Sequence, residues 1–303
     1  MNISLDRIIL TMALVASPVA AVGIDIDPVV LRTLIENDEG KAVVSQMESL
    51  LAAHPATADA HYWLAEGHLA QIEAATTFRK LSLARASKNN LLAALELDPG
   101  HVAARSSLGQ FYLQAPAIAG GSRKEARAQA DALMALDEAA GLRLKADIAR
   151  DEDEPELAVA YQRRALAAGS WDWDSQYALV IQAVHLQVQD AKSVLDEAER
   201  NLRQYAAEDV RAQRLIDYQR GKYAAVSGEA LAAGQGGLTR YLTFEPQTGD
   251  PGLDWAEFRL AQVERQLGEA SAANARLARL EAGDVPEDLG FALHDERRWH
   301  YHD

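Results

Sequence analysis

The sequence predicts an all-α chain, and three observations predict it. Hydrophobic residues make up 49% of the 303 residues while aromatics supply only 6%, and alanine and leucine dominate the apolar share. Small apolar residues at that density suit helices packed closely on one another, since alanine has the best helix propensity. Helix starts and stops then follow one another from Asp27 to Pro286, and the long β-branched runs of a sandwich are missing.

The first element is a targeting segment. Arg7 and the amino group precede an apolar or small run from Ile8 to Val22, which contains Ala16-Ser17-Pro18-Val19-Ala20-Ala21. A charged start, an apolar stretch of roughly 14 residues and a small-residue exit describe a secretory signal peptide over 1–21, cleaved after Ala20 or Ala21. Asp6 weakens the charged start and keeps an uncleaved anchor as the alternative. The run is shorter than the roughly 20 residues of a membrane span. A periplasmic or secreted protein is expected, with no membrane span in the mature chain and a helical array over 22–303.

Asp27-Pro28 sets a capping residue before proline at the first helical position, opening a short helix to about Asn37. A second helix runs from about Lys41 to Ala53, with Val44, Met47, Leu50 and Leu51 on one face, and Pro55 stops it. From Ala58 the text Ala-Asp-Ala-His-Tyr-Trp-Leu-Ala sets Leu64 beside Ala65, and Leu108-Gly109-Gln-Phe-Tyr112 repeats the idea. Glycine after leucine admits a neighbouring helix, and the tyrosine fills the next groove. Second helices follow, ending Leu95-Glu-Leu-Asp98-Pro99, running from Lys124-Glu-Ala126 to Leu136, and from Glu156-Leu-Ala158 to Leu166. A last pair begins at Ala256, turns at Gly268-Glu269-Ala270 and stops before Pro286, with a cap or tail over 287–303.

These residues resemble the tetratricopeptide repeat family, with Leu108, Gly109 and Tyr112 and the Asp98-Pro99 exit as the best matches. The resemblance covers most of 58–168 and 252–286. Trp171–Ala206 and Glu208–Leu242 read as helix pairs with few motif residues. It implies a right-handed α-α superhelix, a solenoid of antiparallel helix pairs in which each pair hides its apolar face on the next. Two departures stand out. Glu73 to Ala86 adds about ten residues to a unit of about 34, to be absorbed as longer helices or a loop. Pro116-Ala-Ile-Ala-Gly120-Gly121 adds about five more before Ser122, which with Glu125 reads as a capping box restarting the helix.

Composition narrows function. With 45 acidic against 30 basic residues the net charge is −15, which repels phosphate backbones and argues against nucleic acid and anionic membranes as partners. There is no cysteine, so disulfides, thiolate metal sites, a cysteine nucleophile and a lipid-anchored N-terminal cysteine are excluded. His54, His61 and His68 sit seven apart. On a helix that is about 10.5 Å, too far to share a metal. The tail from His294 to Asp303 lacks the zinc-protease spacing and reads as a capping helix or frayed end, with Trp299 over the last repeat. Gly234-Gln-Gly236-Gly237 and Gly120-Gly121-Ser122-Arg123-Lys124 lack the phosphate-loop ending and read as turns and caps. No catalytic residue, metal or cofactor is nominated.

The resemblance implies that residues flanking the core leucines line a concave, partner-binding groove. That nominates Tyr62, Glu66, Ser106, Gln110, Phe258 and Gln262, joined by the stripe Arg143, Asp147 and Arg150 at spacings of four and three. The expected function is a scaffold holding a protein or peptide partner. The alternative is an accessory to a solute transport system, which calls for an enclosed apolar space between repeats. A hydrolase hidden on helices is the third reading and would require converging titratable groups in one pocket.

Overall fold

In the computed structural model residues 26–169 and 171–300 are described, with side chains through His294. The expected signal peptide, its cleavage site and the Trp299 side chain lie outside them. The described residues are helical, and the chain divides into two compact units, Met1–Gly169 and Ser170–Asp303.

The first unit holds four helix pairs: α1 (Pro28–Glu36) with α2 (Gly40–Ala53), α3 (Ala58–Ala70) with α4 (Thr77–Leu97), α5 (Val102–Gln114) with α6 (Arg123–Leu136), and α7 (Glu138–Asp151) with α8 (Pro155–Ala168). Local chemistry sets the starts. The Asp27 carboxylate accepts from the N–H groups of Val29 and Val30 at 2.9 and 3.3 Å, and Pro28 follows it without a donor to lose. The Ser122 hydroxyl accepts from Glu125 N–H at 3.3 Å, which is one arm of the expected capping box. Its other arm is not made, because the Ser122 N–H donates to the Tyr112 carbonyl at 2.7 Å instead. A tertiary bond thus replaces a local one.

First helices lie beside first helices, α1 on α3 and α5 on α7, while each second helix fills the gap behind. Gly109 is where the motif requires it: a Cβ there would run into the side chain of Leu144 on α7. Tyr112 packs against three core clusters at once, as the groove-filling role requires. The two departures from the repeat length compensate each other. The ten extra residues extend α4 at its N-terminal end, so that it reaches 21 residues. The five extra residues form a short 3-10 turn, Ala117–Ala119. Leu83 and Ala84 of the extension meet Ala119 of that turn in one cluster with Ile72 and Phe111, and Arg85 donates to the Ile118 carbonyl at 3.5 Å.

The second unit holds α9 (Trp173–His185) with α10 (Ala191–Tyr205), α11 (Val210–Ser227) with α12 (Leu231–Tyr241), and α13 (Leu253–Gln266) with α14 (Ala270–Ala282), followed by α15 (Glu287–His300). The weakly matching stretches are therefore true helix pairs. Gly234 to Gly237 is not the expected turn but the interior of α12. The reason is packing: a Cβ at Gly237 would sit 2.7 Å from the Asp217 carbonyl, and one at Gly234 would strike Ala224, so these glycines let α12 lie against α11. Gly268, at φ +84°, makes the turn between α13 and α14 in the left-handed region that favours glycine. Leu289 and Leu293 of α15 cover Phe258 and Leu280.

Candidate functional site

The nominated residues of the first unit sit on α3, α5 and α7, the first helices of successive pairs. Ser106, Gln110, Arg143 and Asp147 are half-buried and Arg150 is exposed. Four side chains are bonded into a line across α5 and α7. Gln114 donates to Gln110 at 2.9 Å, Gln110 donates to Asp147, and Arg150 donates to the other Asp147 oxygen at 2.9 Å. Burial pushes the Asp147 carboxyl up, against the Arg150 charge and the Gln110 bond, so it is a half-desolvated acid held by neutral and cationic donors. Of this line, Gln114 carried no signal in the repeat pattern and is found only by its bond.

Tyr62 and Glu66 are placed differently. They are 8% and 1% exposed, packed into the core rather than presented on a surface. Burial and the neighbouring Glu66 raise the Tyr62 hydroxyl well above its usual range, with Arg32 of α1 and Ser107 of α5 opposing. Both carboxylate oxygens of Glu66 are buried and no cation meets them. Desolvation pushes Glu66 up to about 7, and the nearby Ser107 hydroxyl offsets this only in part. Arg32 is no remedy: its Nε is itself buried and unpartnered. Beside them His101 caps α5, its Nδ1 accepting from Ala104 N–H at 3.1 Å. That fixes the ring proton on Nε2, which donates to Asp59 at 3.0 Å. Arg32 of α1 and the α5 residues His101 and Ser107 lie far from α3 in sequence, which is why no spacing rule pointed to them.

In the second unit Phe258 is 2% exposed, inside the cluster that α15 covers, while Gln262 is half-buried and accepts from Arg259 at 2.8 Å. Buried carboxylates here are paired. Asp217 is gripped through both oxygens by Arg240 of α12, with Arg214 at 2.9 Å. Glu264 receives Arg276 of α14 on both oxygens at 2.9 Å.

The histidines seven apart do not converge. His54 lies at the end of α2, His61 meets Asn90 at 2.8 Å, and His68 has its Nδ1 buried without a partner. Two depressions mark the surface. One, of about 390 Å³, is open and polar, with Lys192, Asp196, Arg200 and Glu229 among its walls. The other, of about 200 Å³, is lined by Ala130, Ile148 and Leu157 together with the Arg127–Glu152 and Lys145–Asp131 pairs. Neither is the enclosed apolar space that a solute carrier would need. Among the described residues no helix is long and apolar enough to cross a membrane.

Comparison with protein-family models found no match, and comparison with curated proteins found none. Solved structures do resemble the chain. PilW, described as a widely conserved type IV pilus biogenesis factor, is 16% identical over 78% of this chain and 98% of its own, with a TM-score of 0.49. The Cut9–Hcn1 hetero-tetramer of APC/C is matched at 16% identity over 90% of this chain, with a TM-score of 0.50. This chain covers 49% of that one, about half its length, and the likeness bears on the fold alone. The fold shared with it is a succession of antiparallel helix pairs, the fold that the tetratricopeptide resemblance implies.

Proposed function

We propose that this protein is a scaffold that holds a protein or peptide partner on the first-helix face of the unit 26–169, and that it works in the periplasm or outside the cell. The observation that carries this is the bonded line Gln114–Gln110–Asp147–Arg150, which crosses two repeats with its polar ends toward solvent. Packed repeats spend their apolar faces on one another, so what remains for recognition is such a row of polar groups fixed in position by rigid helices. Arg143 lies on the same helix as Asp147 and extends the row. The fold neighbour in APC/C occurs in a hetero-tetramer with Hcn1, a use of the fold that supports the reading by analogy. The N-terminal signal pattern supports export. No enzymatic role is assigned.

The test is in-cell crosslinking and pull-down of the tagged protein, read by mass spectrometry. The expected result is a reproducible envelope partner that disappears when Gln110, Arg143 and Asp147 are all changed to alanine. It should survive alanine at Arg164, an exposed arginine on α8. Equal recovery from the triple variant would sink the assigned face, and an exclusively cytoplasmic set of partners would sink the location.

A further inference from the structure

Among the described residues Glu66 is a buried carboxyl group for which the fold supplies no counter-charge. It sits on α3, against which α1 packs, and its buried oxygens meet no cation, the Ser107 hydroxyl of α5 being the polar group that acts on them. The groups around it come from three helices. On α3 itself are Tyr62, whose ring lies 5.3 Å from that of His101, and Asp59, which His101 holds. From α5 come Ser107 and His101, and from α1 comes Arg32, whose charge acts on Tyr62 and not on Glu66. The histidines on the other faces of α3 engage elsewhere: His68 feels Glu48 of α2, and His61 is held by Asn90 of α4. Helix α1 is packed on α3 far more lightly than α2 or α4. It has nine residues and buries only Leu31 fully, leaving Val29 72% and Val30 50% exposed. A helix this short has little stability of its own and depends on its docking.

We infer that Glu66 is a proton-linked latch for α1: as the neutral acid it lets α1 close over α3, and as the carboxylate it opens that contact. A neutral acid can be buried at modest cost, whereas an unpaired carboxylate gains hydration whenever its cover lifts. The upward displacement of Glu66 by burial puts the changeover near neutral pH. The device is intrinsic to the fold and does not depend on which partner the protein holds.

Amide hydrogen exchange of residues 31–36, corrected for intrinsic pH dependence, tests it on the full chain without any partner. The opening of α1 is expected to increase on the order of tenfold or more between pH 5.5 and 8. In E66Q, which keeps the shape and removes the ionisation, it should stay flat. The amides of α8 in the same samples supply the internal reference, so the wild-type profile decides even if E66Q folds poorly. A wild-type α1 that opens equally at both pH values overturns the latch. So does an E66Q variant that keeps the wild-type pH dependence. Protection that grows with pH would mean that ionised Glu66 draws in Arg32, and would overturn it too.

Discussion

Asp217 and Glu264 in one unit and Glu66 in the other are all buried carboxylates on the first helix of a pair, and they are treated in opposite ways. The first two face their own second helix, which answers with Arg240 and Arg276. Glu66 is answered only by the Ser107 hydroxyl of α5, while the Arg32 charge of α1 acts on Tyr62. The second helix of its pair has cations, but they are turned elsewhere: Arg79 goes to Gln71, and Arg85 goes to the inserted turn. A carboxylate pinned inside a pair is a device for fixing that pair. One left unpaired between pairs is a group whose charge state the fold leaves to the solvent.

The largest effect should come from breaking a pinned carboxylate. Arg276→Met leaves Glu264 buried with no cation on it, beside a Glu257 that keeps only Arg279 at 3.8 Å, and removing one partner of a buried pair typically costs about 3–5 kcal/mol. Denaturant unfolding at pH 7 measures it. A loss below about 1 kcal/mol would mean that water reaches Glu264, and the contrast with Glu66 would vanish.

Glu66→Gln should act in the opposite sense, and only at higher pH. Folding raises this carboxyl from 4.5 to about 7, so its full contribution to stability is present below pH 4.5 and is lost as pH rises through 7. At 1.36 kcal/mol per unit the loss is about 3 kcal/mol. The difference between wild type and E66Q, followed by unfolding from pH 4 to 8, isolates it from other titrations. A constant difference across that range would show that Glu66 has its ordinary affinity for protons.

Packing sharpens the same contrast at a smaller scale. Gly237→Ala pushes α12 off the Asp217 carbonyl, and Asp217 is the residue that Arg240 grips. Gly109→Leu forces Leu144 aside in the first unit, where no ion pair is at stake. Overpacking costs about 1–3 kcal/mol in either place. Melting curves should drop for both, but only Gly237→Ala should also weaken the benefit of Arg240, as a double-mutant cycle would show. An unchanged melting curve for Gly109→Leu would mean that α5 and α7 do not meet there.

The glycines show what the sequence could and could not reveal. Gly109 was legible because it follows a core leucine at a motif position and its tyrosine follows in turn. Gly234 and Gly237 looked like a turn because glycine clusters usually mark one, and only the approach of α11 explains their place inside a helix. Helix pairs, caps and the Asp98-Pro99 exit are local and were readable from spacing. The compensation between the α4 extension and the Ala117–Ala119 turn was not, because two insertions reveal their contact only in three dimensions. The site divides in the same manner. The helix positions of Gln110, Arg143 and Asp147 are legible from spacing, whereas the burial of Tyr62, Glu66 and Phe258 depends on neighbours distant in the sequence.

The smallest effect is expected at Arg123, which pairs with Asp151 at 2.6 Å on an exposed edge between α6 and α7. Its contact is shorter than either Arg276–Glu264 bond, so distance alone would rank it first. Solvent reverses that ranking: an exposed ion pair exchanges one set of favourable contacts for another with water, and ordering two long side chains offsets what remains. Arg123→Ala should therefore leave the melting temperature within the error of wild type, at low and high salt alike. A clear, salt-sensitive drop would show that exposed pairs do hold these repeats together. The distinction between pinned and unpaired carboxylates would then rest on charge alone and not on burial.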